Sequence, residues 1–413
     1  MQGLPSDNGL FMPESIPNHR KLIRGIDDLN FQDISFVISN SMLSDDFTNS
    51  EIEDIIDKSI TFDSPLVNVK DNIYILELFH GPTLAFKDFG ARFMARTMEK
   101  VVSNNSKELN ILVATSGDTG SAVANGFYGV DGINVIILYP SKKVSYIQEK
   151  QLTTLDENVY ALEVKGTFDD CQKLVKQAFL DNKIKKYLNL SSANSINIAR
   201  LIPQSFYYFN AYAKLNTSKK IAFSVPSGNF GNLTAGFLAK EMGLPINQFI
   251  ASTNANKTVP EYLKTKHYIS SKSIETISNA MDVGNPSNIN RIMDMYNTIE
   301  NLKNNLLAFS FSDKETKQTV KDIFFKNNYL LDPHSAVGLL GLNVYLDSVN
   351  SDYEGIFLGT AHPAKFANII EPIINQKVDM PISLKKVINK EKTSILLNND
   401  YNVFSDYLLA NFR

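Results

Sequence analysis

The sequence predicts an α/β protein built on parallel sheets. Short apolar runs alternate along the chain with longer segments whose apolar residues recur at helical spacing. Because a strand, a helix and a second strand form a right-handed crossover between parallel neighbours, this alternation favours parallel sheets flanked by helices. The clearest strand candidates are residues 73–79, 135–139, 221–225, 248–252 and 355–359. Helices are predicted for residues 144–152, 199–215, 314–326 and 335–346.

The alternation also predicts where a ligand would bind. Ligands of parallel α/β folds lie beyond the carboxyl ends of the strands. Three loops with glycine or polar residues, and the single residue Thr360, follow strand candidates. The loops are residues 79–88, 115–120 and 226–232.

Composition limits the class of protein. The 413 residues can bury a large core and suffice for two domains. A formal charge of −3 with scattered Lys and Arg indicates no basic patch that would bind nucleic acid or a membrane surface. No apolar run approaches membrane-spanning length, and the N-terminal residues lack a secretion signal. We therefore expect a cytoplasmic protein that binds neither nucleic acid nor membrane.

Cysteine and histidine usage argues against disulfides and metal. The single cysteine, Cys171, excludes an intramolecular disulfide and suits a reducing compartment. It lies in a helix-like stretch and is expected to pack rather than to react. The five histidines show no paired ligand spacing, so no metal site is expected.

Residues 79–88, Phe-His-Gly-Pro-Thr-Leu-Ala-Phe-Lys-Asp, are the most informative segment. A buried strand precedes it, Gly81 and Pro82 break the chain, and helical spacing begins at Phe86. Lys87 therefore lies at a helix start in an apolar loop. A lysine held there loses its proton by desolvation and can act as an imine-forming nucleophile. The alternative is a lysine that extends from the helix start into solvent.

Two further loops open helices directly after strands. In residues 226–232, Pro-Ser-Gly-Asn-Phe-Gly-Asn, the glycines let backbone amides converge at a helix N-terminus, which suits phosphate. The nucleotide signatures are absent, so a small phosphorylated cofactor is indicated. Residues 115–120, Thr-Ser-Gly-Asp-Thr-Gly, would favour an anion such as a carboxylate in the same way. The alternatives are an ordinary strand-to-helix turn for the first loop and helix capping for the second.

Together these segments resemble the threonine synthase family, in the tryptophan-synthase β-like group of pyridoxal-phosphate enzymes. Any one motif could arise by chance, but six in family order along nearly the whole chain are highly specific. They are residues 80–88, 115–120, 192–200, 226–232, 332–338 and 359–366. The resemblance implies a two-domain fold type II architecture of parallel twisted sheets flanked by helices. It further implies an N-terminal segment (1–86) that completes the large domain, a smaller substrate-side domain (87–216) and a large cofactor-binding domain (217–413).

The resemblance implies pyridoxal 5′-phosphate as cofactor and assigns residues to it. Lys87 would bind the cofactor covalently and then move protons at the substrate's Cα and beyond, or it only pairs with Asp88. Thr360 would offer its hydroxyl to the pyridine nitrogen, or it only caps the helix that starts near His362. The residues that would wrap the cofactor phosphate are Gly228, Asn229, Phe230, Gly231 and Asn232.

Substrate contacts are implied in the 115–120 loop. Ser116 and Thr119 would take the substrate carboxylate, with Gly117 and Asp118 beside them. Many members of the wider group carry Asn where Asp118 stands. A carboxylate near the cofactor's phenolic oxygen needs a compensating donor or proton, so the role of Asp118 is left open.

A second anion site is implied for the leaving phosphate. Asn194, Arg200 and Lys142 are the candidates, because a guanidinium can hold phosphate through two hydrogen bonds. Surface solvation is the alternative, above all for Lys142. His334 follows a family motif, with a turn or capping role as the alternative.

The implied activity is that of a threonine synthase, in the last step of threonine biosynthesis. O-phospho-L-homoserine and water would give L-threonine and phosphate by γ-elimination and then β-addition of water. The alternatives are a pyridoxal-phosphate phospho-lyase that forms 2-oxobutanoate from the same substrate, and a non-catalytic paralogue that binds metabolites. Oligomeric state (monomer or homodimer), effectors and rates are left open. Relatives usually carry further residues before the segment 3–14, so the completeness of the N-terminus is open too.

Overall fold

The structure, a computed structural model, describes residue 5 and residues 9–103, 108–349 and 352–413. Of the N-terminal motif at 3–14, residues 3, 4 and 6–8 lie outside this part. The strands are β1 (Leu66–Lys70), β2 (Ile73–Glu77), β3 (Leu109–Ala114), β4 (Ile133–Pro140), β5 (Val159–Lys165), β6 (Asn189–Ser192), β7 (Lys220–Pro226), β8 (Gln248–Thr253), β9 (Leu306–Ser310), β10 (Tyr353–Gly359) and β11 (Ile395–Asn398).

Helices connect the strands, with short 3₁₀ turns at Ile26–Asp28, Ile198–Arg200, Asn279–Met281 and Pro363–Phe366. The helices are α1 (Arg20–Ile23), α2 (Phe31–Leu43), α3 (Asn49–Ser59), α4 (Lys87–Val102), α5 (Asp118–Phe127), α6 (Tyr146–Thr153), α7 (Phe168–Leu180), α8 (Asn182–Tyr187), α9 (Ile202–Leu215), α10 (Gly231–Glu241), α11 (Thr258–Thr265), α12 (Ile289–Tyr296), α13 (Ile299–Asn305), α14 (Asp313–Asn327), α15 (Pro333–Ser348), α16 (Ala367–Ile374), α17 (Ile382–Ile388) and α18 (Tyr401–Asn411).

The described strands form two sheets. The first has the order β1-β2-β10-β7-β8-β9 and is parallel except for the antiparallel pair β1 and β2. The second has the order β11-β5-β4-β3-β6 and is parallel throughout. The predicted α/β class with parallel sheets is confirmed. The carboxyl ends of β2, β10 and β7 meet at one edge of the first sheet, which brings their loops together.

Helices cover both faces of each sheet, so the central strands are apolar along their whole length. Every residue of β3 and β10 is buried. On one face of the first sheet, aromatic residues of α9 and α10 pack on β7 and β8; on the other, α14, α15 and α16 pack on β10 and its neighbours. Cys171 lies buried in α7 under the second sheet, where burial raises the pKa of its thiol to about 12. It packs as expected.

The strand candidates correspond to β2, β4, β7, β8 and β10, and the helix beginning near Phe86 to α4. The predicted helix at 199–215 differs, because the structure divides it. Residues 198–200 form a 3₁₀ turn and α9 begins at Ile202, since proline at position 203 is tolerated only in the first turn of a helix.

The C-terminal residues return to the second sheet. Strand β11 pairs with β5, and α18 packs against α7 and α8. The predicted division placed this segment with the large domain and placed α9 with the smaller one, although α9 lies in the core of the first sheet. The boundaries at residues 86 and 216 stay a prediction. In the described part of the chain no helix is both long and apolar enough to cross a membrane.

Candidate active site

Lys87 begins α4 in a loop that is hydrogen-bonded to the exit of strand β10. Phe86 N–H donates to the carbonyl of Thr360 at 2.9 Å, and His362 N–H donates to the carbonyl of Leu84 at 3.1 Å. Leu84 itself adopts a left-handed conformation, with φ of 58°. The position of Lys87 is therefore set by the carboxyl edge of the first sheet, as the sequence predicts.

Asp88, the next residue, is bound to the loop and not to the lysine. Its carboxylate accepts hydrogen bonds from the N–H of Thr83 at 2.9 Å and from the hydroxyl of Thr83 at 2.5 Å. Burial raises the pKa of Asp88 to about 6 despite these bonds. A Cβ at Gly81 would lie 2.5 Å from the Asp88 carboxylate, so the loop requires glycine there. This geometry does not support the alternative in which Lys87 only pairs with Asp88.

The surroundings of Lys87 favour its neutral form. Desolvation lowers the pKa of Lys87 to about 8; Asp118 opposes the shift, while Arg200 and Lys365 add to it. At pH 7 an amine with this pKa is neutral in about one molecule in ten, against about one in three thousand for an ordinary lysine. Lys87 can therefore attack an aldehyde near neutral pH.

Residues 115–120, here called the Asp118 loop, join β3 to α5. The hydroxyl oxygen of Thr115 accepts from the N–H of Gly117 at 3.0 Å and of Gly120 at 2.9 Å, which folds the loop back on itself. Gly117 has φ of 148°, and a Cβ there would lie 2.6 Å from the amide of Gln148. Of the predicted carboxylate-binding residues, Ser116 is exposed and Thr119 is half-buried.

The carboxylate of Asp118 is already compensated within the protein. Lys365 Nζ lies 2.6 Å from Asp118 Oδ1, and Gln148 Nε2 donates to the same oxygen at 2.9 Å. Burial alone would raise the pKa of Asp118, but Lys365 and Lys87 hold it well below its usual range. The question left open by the sequence is answered by a donor, Lys365, and not by a proton on Asp118.

Residues 226–232, here called the phosphate loop, join β7 to α10. Phe230 is left-handed, with φ of 62°, and turns the chain into the helix. A Cβ at Gly228 would lie 2.7 Å from Met281 Cα and 2.9 Å from the carbonyl oxygen of Ala280, so a side chain has no space there. The amides of the first helical turn, including Gly231, have no intrahelical acceptor.

Neutral hydrogen bonds hold this loop on both sides. Asn229 Nδ2 donates to the hydroxyl of Ser195 at 2.5 Å, and its Oδ1 accepts from Ser287 N–H at 2.6 Å. Asn288 Nδ2 donates to the carbonyl of Asn229 at 3.0 Å. The loop is thus fixed without a charged side chain at these contacts.

The side-chain amide of Asn232 indicates whether the loop fits a phosphorylated group. Its Oδ1 accepts from the hydroxyls of Tyr207 and Tyr208 at 2.7 and 2.8 Å, which turns the amide nitrogen the other way. That nitrogen, Asn232 Nδ2, is buried and has no partner among the described residues. An unpaired buried donor beside the free amides of a helix start fits a phosphate.

Thr360 lies buried at the end of β10, next to the Lys87 loop. The alternative role as a helix cap is not supported, because the 3₁₀ turn at Pro363–Phe366 is capped by His362, whose Nδ1 accepts from Ala364 N–H at 3.1 Å. The placement of Thr360 is therefore compatible with a hydroxyl directed to a ligand.

The predicted phosphate-binding residues are only partly brought together. Arg200 is buried, and its Nη1 donates to the carbonyl of Ala193 at 2.7 Å, while its Nε is buried without a partner in the described part of the chain. Burial lowers the pKa of Arg200 to about 10. Asn194 is half-buried nearby in sequence, whereas Lys142 is exposed in a turn after β4, with φ of 59°. Surface solvation remains an open alternative for Lys142.

His334 has a structural partner on each ring nitrogen. Asp332 caps α15, and its carboxylate accepts from His334 Nδ1 at 2.8 Å. His334 Nε2 accepts from Ala280 N–H at 3.2 Å, so the histidine supports the segment that packs on Gly228. Among the described residues, no three His, Cys, Asp or Glu side chains converge in a way that could hold a metal ion.

Sequence reasoning missed several residues that shape the site. Lys365 and Gln148 bind Asp118, and Asn288 supports the phosphate loop. Arg291 is buried and donates to the carbonyls of Phe11 and Ile196 at 3.0 and 2.6 Å, which ties two loops together. Lys365 offered one signal, a charged residue in the short run Pro-Ala-Lys-Phe beside apolar neighbours.

Comparison with known proteins places these features in a family. A family model described as "Pyridoxal-phosphate dependent enzyme" matches residues 60–355. Models described as "Threonine synthase N terminus" and "Threonine synthase, C-terminal" match residues 1–60 and 335–408.

Full-length relatives agree with the family models. The threonine synthase of Haemophilus influenzae is 44% identical, over 99% of this chain and 95% of that protein. The crystal structure of threonine synthase from Escherichia coli is 41% identical, with a TM-score of 0.92 over 99% of this chain and 95% of that one. The structure of threonine synthase with pyridoxal phosphate bound, from Brucella melitensis, is 32% identical, with a TM-score of 0.94 over 100% and 95%.

Proposed function

The chain belongs to the threonine synthase family of pyridoxal-phosphate-dependent enzymes, and we propose that its site converts O-phospho-L-homoserine and water into L-threonine and phosphate. One observation carries the proposal: Lys87, with a pKa lowered to about 8, begins a helix at the carboxyl edge of the first sheet, where the loops after β2, β10 and β7 meet, and Asp118 acts on its charge. Neither a simple binding protein nor a structural protein needs an amine in that state.

The residues of the phosphate loop fit the cofactor's phosphate. The amides at the start of α10 and the free Nδ2 of Asn232 would hold the phosphate, with Gly228 giving close approach. Thr360 would offer its hydroxyl to the pyridine nitrogen. When bound, pyridoxal 5′-phosphate supplies an electron sink that makes the protons on the substrate's Cα and Cβ removable.

Lys87 is the group that moves these protons. With the cofactor and substrate bound, the amine of Lys87 would take a proton at the substrate's Cα and at Cβ and return one later. A base is most effective when its pKa lies near the working pH, and about 8 meets this condition. The same amine can therefore serve the elimination and the later addition.

Two anionic groups of the substrate need separate sites. We propose that Ser116 and Thr119, with the backbone at Gly117, hold the carboxylate. The leaving phosphate would be held by Arg200, whose buried Nε has no partner in the described part of the chain, together with Asn194. Asp118 would then act through its ion pair and not as a direct ligand.

We also propose a cytoplasmic location and a small-molecule substrate as the principal partner, in a monomer or homodimer. The low cysteine usage and the role in amino-acid biosynthesis support this location.

Product analysis tests the function. The purified protein, loaded with pyridoxal phosphate, is incubated with O-phospho-L-homoserine, and threonine, 2-oxobutanoate and phosphate are quantified against the variant Lys87→Ala. Threonine formed in equal amount with phosphate is the expected result. Phosphate with 2-oxobutanoate alone would establish the phospho-lyase, and no phosphate release would establish a non-catalytic paralogue.

A further inference from the structure

Lys365 is a buried cation that takes no part in the chemical steps proposed above. It lies in the 3₁₀ turn just after β10, and its side chain has no exposed surface. Its Nζ lies 2.6 Å from Asp118 Oδ1 and donates to the carbonyl of Thr83 at 2.8 Å. Because a buried ion pair contributes little net stability compared with an apolar pair, stability alone does not account for it.

The contacts of Lys365 join three segments around the reactive amine. Asp118 begins α5, which follows β3 of the second sheet; Thr83 belongs to the loop that leads to Lys87, and Lys365 follows β10 of the first sheet. Thr83 in turn binds both oxygens of Asp88. A change in the charge of Lys365 therefore affects Lys87 in two ways: electrostatically, and through the loop that leads to Lys87.

The charged groups that face Lys87 come from each neighbouring element. Asp118 favours the ammonium form, whereas Arg200 and Lys365 disfavour it. Asp88 is turned to Thr83. Without Lys365, the buried Asp118 would keep Gln148 as a neutral donor and Lys87 as its compensating cation.

We propose that Lys365 is a positioning residue that binds and neutralises Asp118 and so leaves Lys87 free to act as a neutral amine. The inference rests on Lys87 being the reactive amine of the proposed function, but not on the identity of the substrate. The inference also applies to the protein with cofactor bound, because Lys365 gives the site a fixed positive charge beside the Asp118 carboxylate.

The test measures the nucleophilicity of Lys87 and not turnover. The full-length chain, prepared without cofactor, is pulse-labelled with an amine-acylating reagent across a pH series, and the rate of Lys87 modification is followed by peptide mass spectrometry. Four proteins are compared: the parent, Lys365→Met, Asp118→Asn and the double variant.

The four midpoints are predicted to form a pattern. In Lys365→Met the midpoint of Lys87 labelling rises by about one pH unit or more, because the uncompensated carboxylate recruits the ammonium. In Asp118→Asn it falls below that of the parent, because Lys365 is then uncompensated. In the double variant it returns to within about half a unit of the parent, since both charges are gone. In the cofactor-loaded proteins, the pH midpoint of the bound cofactor's visible absorbance moves in the same directions.

A purely structural role gives a different outcome. Lys365→Met would then lose thermal stability while the Lys87 midpoint of the folded protein stayed at the parent value, and the proposal would be overturned. If Lys365→Met does not fold, Asp118→Asn and the double variant decide, because both lack the buried carboxylate. Equal midpoints in those two variants would contradict the proposal, because Lys365, left uncompensated in Asp118→Asn, is expected to lower the midpoint.

Discussion

The phosphate loop and the Asp118 loop both join a buried parallel strand to a helix, yet they are held in place by different forces. Asn229 fixes the phosphate loop through uncharged hydrogen bonds, and Asn232 Nδ2 is left unpaired among the described residues. The Asp118 loop contains a carboxylate that an internal lysine, Lys365, already neutralises.

This difference indicates how the two loops divide the work. A loop fixed by neutral groups keeps its donors and its helix-start charge for an incoming dianion. A loop with an internal ion pair presents little net charge; burial lowers the pKa of Lys87, and the carboxylate of this loop opposes that shift. We therefore propose that the phosphate loop binds the cofactor's phosphate, and that the Asp118 loop both holds the substrate carboxylate and influences the charge of Lys87.

The largest effect is expected in the phosphate loop. Gly228→Ala places a Cβ against the backbone of Met281 and Ala280, neither of which can rotate away. The affinity for pyridoxal phosphate should fall by about a hundredfold or more, a loss of about 2.7 kcal/mol. Titration of visible absorbance measures it, and Gly25→Ala is the control, because a Cβ there meets nothing within 4 Å. An affinity equal to that of the parent would show that the loop does not approach the cofactor.

Arg200→Lys should separate substrate phosphate binding from cofactor binding. A compact ammonium cannot reproduce the two-pronged contact of a guanidinium, so kcat/KM for phosphohomoserine should fall by about thirtyfold. Cofactor occupancy should not change. Arg92→Lys, in α4 and bound to the carbonyls of Lys58 and Ser59, is the matched control. Equal losses of turnover and occupancy would assign Arg200 a structural role.

The pH dependence of cofactor capture tests the state of Lys87. The neutral amine is the reactive form, and its pKa of about 8 lies below the ordinary value. Capture by the full-length chain should therefore rise about fifteenfold between pH 6.5 and 8 and only about twofold between pH 8 and 10. Stopped-flow absorbance measures the rates. A rise of tens-fold above pH 8 would indicate a lysine whose pKa burial does not lower.

The smallest effect is expected at Thr119, and it concerns the choice of product. Thr119 and Ser116 lie beside the second sheet, whereas the phosphate loop and Thr360 lie on the first. A substrate that bridges the two sheets should draw them together and limit the access of water. Thr119→Ala should weaken substrate binding and raise the share of 2-oxobutanoate about two- to threefold.

Product ratios at equal conversion decide this point. Thr97→Ala is the control, because that hydroxyl donates to the carbonyl of Phe93 within its own helix, α4. Lower turnover with an unchanged product ratio would show that Thr119 binds substrate without controlling the reaction.

The sequence predicts where the two loops lie but not the contacts that hold them in place. Strand-to-helix junctions at Lys87, Asp118 and Gly231 follow from local patterns, because buried parallel strands are apolar throughout and loops after them contain glycine. The ion pair of Asp118 with Lys365 joins residues that are far apart in the sequence, so local patterns carry no information about it. The separate motifs do not show that Lys365 compensates the charge of Asp118.

The C-terminal strand β11 shows the same limit. Its run Ile-Leu-Leu-Asn is short and exposed except at Leu397, and it pairs with β5 from more than two hundred residues away. The local sequence pattern does not indicate which sheet such a segment joins. Site residues that act through neutral hydrogen bonds, such as Asn288, were missed for a related reason, since Asn in a loop is typical of any turn.

Every step proposed for this site depends on Lys87 being the amine that binds the cofactor. The most direct measurement is borohydride trapping of the loaded protein, followed by digestion and mass mapping of the labelled peptide. We expect one pyridoxyl label per chain, on Lys87, and none on Lys365 or any other lysine. A label elsewhere, or no trapped label after loading with pyridoxal phosphate, would contradict it.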